Sequence, residues 1–155
     1  MTIKECNSAL HFSCATLSHE GRPKVLKLLV ESGADINAKN RDGDTPAHLA
    51  SSNSPEILLN LLNLGADLTL KNNNGETVFH TCCRKRHSTG VISSILERGF
   101  NPNLRDQSMN TPLHCAVECG NIDVVRLLLT KCGTAVKIDA KNKVRKCLIE
   151  CTVTT

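Results

Sequence analysis

Thr111-Pro112-Leu113-His114-Cys115-Ala116 is the stretch that decides the fold. Thr is placed to N-cap a helix, because its hydroxyl can accept from the exposed N–H groups of the first turn. Pro follows at the first helical position, where a missing N–H costs nothing. A helix that starts with such a signature is common, so a single copy of the hexapeptide says little. Its recurrence says more. Ser8-Ala9-Leu10-His11, Thr45-Pro46-Ala47-His48-Leu49-Ala50 and Thr77-Val78-Phe79-His80-Thr81-Cys82 align with it, and the four His are spaced 37, 32 and 34 residues apart.

A second landmark travels with the first. Gly33, Gly65, Gly99 and Gly133 follow at spacings of 32, 34 and 34. Each comes just after an apolar stretch: Val25-Leu26-Lys27-Leu28-Leu29, Ile57-Leu58-Leu59-Asn60-Leu61-Leu62, Val91-Ile92-Ser93-Ser94-Ile95-Leu96 and Val124-Val125-Arg126-Leu127-Leu128-Leu129. Glycine there stops a helix in the left-handed C′ position. Ser54-Pro55 and Gly120-Asn121 mark turns between the short and the long helix of their units. Polar stretches such as Asn40-Arg41-Asp42-Gly43-Asp44 carry the chain into the next unit.

A period near ~33 with a T-P-L-H-x-A signature resembles the ankyrin repeat. The resemblance covers residues 7–142; the fourth unit matches the signature residue for residue and the second departs only at Ala47. It implies an all-α fold, an ankyrin-repeat solenoid of stacked helix–turn–helix units with β-turn fingers. Residues 1–155 then form a single domain with repeats at about 7–40, 41–72, 73–106 and 107–142 and a degenerate cap at 143–155. The first unit carries extra residues in Thr16–Pro23, and the third carries one more in Arg84–Gly90. The cap keeps Cys147, Leu148 and Cys151 but lacks Thr, Pro and His, and is expected to be short and irregular.

Composition agrees with a thin stack. Among 155 residues there are three Phe and no Tyr or Trp, so Leu, Ile, Val and Ala must fill the core. No apolar run approaches the ~18 residues of a membrane span, and the first residues lack a signal-peptide core. Nine Cys sit among apolar residues, which reads as small core side chains in a reducing, intracellular compartment, cytoplasmic or nuclear. Charge is uneven: residues 1–72 carry seven Lys/Arg against eight Asp/Glu, and residues 73–155 carry twelve against seven.

Chemistry finds few footholds. His11, His48, His80 and His114 fall one per layer, and layers about 10 Å apart cannot share one zinc with bonds of ~2.1 Å. His80 with Cys82, Cys83 and His87, Cys115 with Cys119, and Cys147 with Cys151 lack the C-x₂-C pairing of a closed zinc site. Cys115 and Cys119 are four apart and are expected to share a helix face. Cys82 stands where the family has a buried Ala. Phosphate-loop, nucleophile-elbow and zinc-protease motifs are absent, and a Cys82–His80 pair would still need an oxyanion hole and a cleft. No enzyme activity, metal or cofactor is expected.

The resemblance implies a protein-binding module that uses the concave face of finger tips and first-helix ends. The residues it places there are Arg41, Asp42 and Asp44; Asn73, Asn74 and Glu76; Ser108, Met109 and Asn110; and Ser52, Asn53, Arg84, Lys85, Glu118 and Cys119. Arg84-Lys85-Arg86 suggests an acidic partner surface, with Arg84→Ala and Lys85→Ala expected to leave folding almost untouched. A short stack without an appended effector region also resembles the inhibitor-of-kappa-B type, including its truncated insect-virus versions, which would occupy a Rel-type transcription factor. Nucleic acid is a third partner class, through Lys137, Lys141, Lys143, Arg145 and Lys146, but there is no Tyr or Trp to stack bases and the pI is near 8.6. A monomer is expected. Leu29–Asn37 resembles the finger that asparaginyl hydroxylases modify, although Asn37 reads more simply as a turn-stabilising residue.

Overall fold

The structure, a computed structural model, describes residues 8–15, 22–85 and 89–143. Among the described residues eight helices come in pairs: α1 (Ala9–Ala15) and α2 (Arg22–Glu31), α3 (Pro46–Asn53) and α4 (Pro55–Asn63), α5 (Val78–Arg84) and α6 (Thr89–Glu97), α7 (Pro112–Glu118) and α8 (Ile122–Cys132). A single 3₁₀ turn, Gly133–Ala135, follows α8. The chain divides into two compact units, Met1–Asn73 and Asn74–Thr155. Thr16–Gly21, Arg86–Ser88 and the expected cap beyond Lys143 lie outside the described residues.

Each first helix starts as its sequence dictates. Thr45, Thr77 and Thr111 are N-caps in extended conformation, with Pro46 and Pro112 directly inside. The His three residues on closes a capping box. In unit 1 the Thr45 N–H and hydroxyl lie 3.2 and 2.9 Å from His48 Nδ1. The Thr77–His80 and Thr111–His114 boxes repeat those distances to within 0.1 Å. Because Nδ1 accepts the backbone N–H, the ring proton belongs on Nε2. There it donates to the next finger: His11 Nε2 to the Asp44 carbonyl at 2.9 Å, and His80 Nε2 to the Asn110 carbonyl at 3.2 Å. One side chain thus caps its own helix and ties it to the following repeat.

In unit 1, α1 packs on α3 and α2 on α4; in unit 2, α5 packs on α7 and α6 on α8. Leu10, Leu26, Leu58 and Leu61 are fully buried in the first unit, as are Phe79, Ile92, Ile95 and Leu128 in the second. Each such aliphatic side chain contributes roughly 1.5–3 kcal/mol on burial. Phe79 and Phe100 meet edge to face, with ring centroids 5.6 Å apart.

The fingers are tight loops knitted in register. Asn40 Oδ1 accepts from the N–H groups of Asp42 and Asp44, and Asp106 Oδ1 does the same for Ser108 and Asn110. The backbone of one finger then bonds to the next: Asn73 N–H to the Asp42 carbonyl at 2.9 Å, Gln107 to Asn74 at 3.0 Å, and Lys143 to Ser108 at 2.9 Å. Gly43 and Gly75 turn these loops at positive φ, and a Cβ on either would come within 3 Å of the following finger. At the same position the third finger has Met109, also left-handed at φ 64°.

Candidate protein-binding surface

The groups expected to contact a partner meet different fates. In unit 1 the finger residues Arg41, Asp42 and Asn73 are exposed at their tip. Asn73 is also structural, its amide donating to the Arg41 carbonyl at 3.0 Å. Asp44 is half-buried and accepts from the Asn72 amide at 2.9 Å, so its carboxylate serves the joint between fingers. Ser52 and Asn53 are exposed at the end of α3, but the Asn53 amide reaches the Ala15 carbonyl at 3.3 Å and closes the end of α1. Asn37, in the same unit, accepts from Asp67 N–H at 2.9 Å, so its side chain ties its repeat to the next one, while its own turn is held by the Asp35 carboxylate accepting from Asn37 N–H at 2.9 Å.

Unit 2 brings several of these residues around one hollow of about 330 Å³. Asn74, Glu76, Arg84, Asp106, Gln107, Ser108, Asn110 and Glu118 line it, all of them polar or charged. Asn74, Gln107, Ser108 and Glu118 are exposed at its edges, with Met109 and Cys119 exposed nearby in sequence. Asn110 is half-buried, donating from its amide and its backbone to the Asp106 carboxylate.

Glu76 and Arg84 depart from the expectation. Glu76 is buried, its side chain only 8% exposed, and it forms an ion pair with the Arg84 guanidinium, itself 35% exposed. Glu76 is therefore a floor for the surface and not an outward contact. Arg84 does not stand beside Lys85 as a second solvated charge. It folds back eight residues because a carboxylate taken out of water needs a cation. Lys85 is exposed and its carbonyl accepts from the buried Asn121 amide at 2.9 Å. Arg86 lies outside the described residues, so the expected run of three outward charges reduces to Lys85 among the described ones. Gln107, which sequence reasoning passed over, holds the same second finger position as Arg41 and Asn73; that register was the signal for it.

The buried thiols are not arranged for nucleophilic chemistry. Burial pushes the Cys115 thiol up to about 12 and the Cys83 thiol well above its ordinary value, so both stay protonated at neutral pH. Burial lowers His80, and both of its ring nitrogens are engaged, which leaves none to take a proton from Cys82. Cys115 and Cys119 do not share a face: Cys115 is buried in α7, whereas Cys119 falls just past the helix end and is exposed. Among the described residues no group of three or more His, Cys, Asp or Glu is placed to hold a metal. His87, Cys147 and Cys151 lie outside them. Among the described residues, too, no helix is long and apolar enough to cross a membrane.

Four helix pairs with capped first helices and interlocked fingers define an all-α repeat protein of the solenoid class. Family models described as ankyrin repeats match residues 51–142 and 14–62, and the chain belongs to that family. It is similar to an ankyrin repeat protein of fowlpox virus, 38% identical over 151 residues, 79% of this chain and 29% of that protein. It is also similar to part of the human transient receptor potential cation channel subfamily A member 1, 35% identical over 71 residues, 46% of this chain and 6% of the channel subunit. An ankyrin repeat protein of Acanthamoeba polyphaga mimivirus is 36% identical over 61 residues, 39% of this chain and 15% of that protein. The chain spans less than a third of the length of each of these relatives. Ankyrin repeats are generally non-catalytic protein–protein interaction modules.

Proposed function

We propose that the chain, with its repeats at about 7–40, 41–72, 73–106 and 107–142 read as one module, binds another protein through its finger tips and first-helix ends. The observation that carries this reading is the hollow of unit 2, eight polar or charged residues around about 330 Å³. Its exposed edge carries the polar side chains of Asn74 and Gln107, at the spacing of successive fingers. That pattern suits an extended segment held by polar contacts around a few apolar anchors. Met109, on the neighbouring tip, is the candidate anchor.

The charge of the hollow alters the expected partner. Glu76, Asp106 and Glu118 stand against Arg84 there, which disfavours an acidic group and favours a neutral or basic one. A protein acting this way works by occupying its partner's surface, the mode an inhibitor of the kappa-B type uses, so Rel-type factors belong in a binding panel. The six described cysteines are all free thiols, in keeping with a reducing, cytoplasmic or nuclear setting.

The test uses a displayed library of extended peptides selected on the whole chain. Recovered peptides should bind Gln107→Arg/Ser108→Arg at least ~tenfold more weakly than the parent, the scale of losing a central contact. They should bind Asp123→Lys, on the outer helix α8, as they bind the parent. Peptides indifferent to the finger variant would remove the hollow from the binding surface.

A further inference from the structure

The hollow of unit 2 is lined by four charged side chains, and three of them are already engaged inside the protein. Glu76 holds Arg84, whose guanidinium folds back to it. Asp106 holds its own finger: Oδ1 accepts from the backbone N–H groups of Ser108 and Asn110, both at 2.8 Å, and Oδ2 accepts from the Asn110 amide at 3.1 Å. The fourth charge is Glu118, exposed at the edge. Among the described residues its carboxylate has no ion-pair or hydrogen-bond partner.

Glu118 also stands where a helix favours the opposite charge. It is the last residue of α7, at the negative end of the helix dipole, and no basic residue shares that last turn. The preceding repeat has Arg84 at this position, four residues after His80, as Glu118 comes four after His114. A solitary carboxylate at that end of a helix lowers stability, and proteins break such local rules mostly where a site requires it. The charge balance points the same way. Three carboxylates against one guanidinium leave the lining with two negative charges in excess.

We propose that the hollow receives a lysine or arginine side chain of the partner, with Glu118 as the residue that selects it. The proposal rests on the hollow being a protein-binding surface, and it narrows the partner from neutral or basic to basic. A volume of about 330 Å³ is at the small end of ligand-sized cavities, which suits one long side chain and not a folded element. An incoming anion would find Arg84 already held by Glu76, whereas an incoming cation finds the Glu118 carboxylate open. Because Glu118 is solvated, the pair serves selectivity more than raw affinity.

The test takes the extended peptides selected on the whole chain and follows their binding by fluorescence anisotropy to the parent, Glu118→Gln and Glu118→Lys, at low and high salt. The peptides should share a Lys or Arg at one position. Glu118→Gln should weaken them at least ~threefold and Glu118→Lys at least ~tenfold, with smaller losses at high salt. Replacing the shared cation with Gln should weaken binding to the parent by a similar factor and change binding to Glu118→Gln little, the mark of a direct pair. Both variants should melt at or above the parent temperature, since neither keeps a carboxylate at the negative end of α7. Peptides without a common cation would overturn the proposal, and so would equal binding to the parent and Glu118→Gln. If those same peptides still bind Gln107→Arg/Ser108→Arg weakly, the hollow remains the binding surface and only its selection of a cation falls. If they are indifferent to that variant as well, or if the library yields no binder, both readings fall. A lower melting temperature in Glu118→Gln would make the carboxylate a structural group and would also overturn its role in selection.

Discussion

Replacing Arg84 with Ala should destabilise the protein, although Arg84 sits at the surface end of a helix in a run of basic residues. The carboxylate of Glu76 is 8% exposed and the guanidinium 35% exposed, so the pair falls between two regimes. An ion pair in full solvent contributes about 0–1 kcal/mol. Removing one partner of a fully buried pair costs about 3–5 kcal/mol, because the other charge stays desolvated. With one partner buried and one partly wet, about 1–3 kcal/mol is expected. For a chain of this size that is a fall in Tm of roughly 3–10 °C. Urea titration of the parent, Arg84→Ala, Glu76→Gln and the double variant closes a thermodynamic cycle. The double variant should recover part of the loss, since it removes both charges together. Salt should change the cycle's coupling energy little, because a half-buried pair is weakly screened. A loss below about 0.5 kcal/mol for Arg84→Ala would show that the pair is solvated after all, and would return Arg84 to the group of outward charges.

Four further outcomes are expected. Leu128→Ala, at a fully buried position in α8, should cost roughly 2–5 kcal/mol, and a loss under ~1 kcal/mol in a denaturant titration would mean that the α8 register is wrong. Met109→Gly should stabilise by about 0.5–1 kcal/mol, since relief of a left-handed non-glycine residue slightly exceeds the added freedom of the unfolded chain; an unchanged urea midpoint would deny that the finger is strained. Because burial lowers His80, the unfolded chain takes up its proton first, so the stability from this group is complete above about pH 6.5 and is lost as pH falls from there through the lower folded value. Urea midpoints at about pH 7.5 and 5.5 should show that loss, and it should shrink in His80→Gln, which retains a capping box. In native protein near neutral pH, a thiol reagent should modify the exposed Cys119 well before the buried Cys82, Cys83 and Cys115, and equal rates for all four would contradict their burial.

The repeat was legible in the sequence because its signals are local. A Thr that caps, a Pro at the first helical position, a His three residues into the box and a Gly in the left-handed C′ position each act within one turn of their own backbone. Thr111–Ala116 and Gly33 therefore mean the same thing with or without neighbours. Leu58 and Leu128, both buried, lie in apolar stretches that the sequence marks by composition alone. What the side chains of the candidate surface do was decided only by tertiary structure, since their partners come from another repeat or another element. Asp44 is held by Asn72 across 28 residues, Asn53 closes α1 from 38 residues away, and Asn121 reaches the Lys85 carbonyl across 36. Arg84 and Glu76 are nearer in the chain, but the finger and helix that carry them face one another only once folded. A string of charges specifies how many there are. Which of them meets water depends on whether the folded backbone leaves a carboxylate buried beside it, and here it leaves Glu76, which draws Arg84 inward and leaves Lys85 exposed.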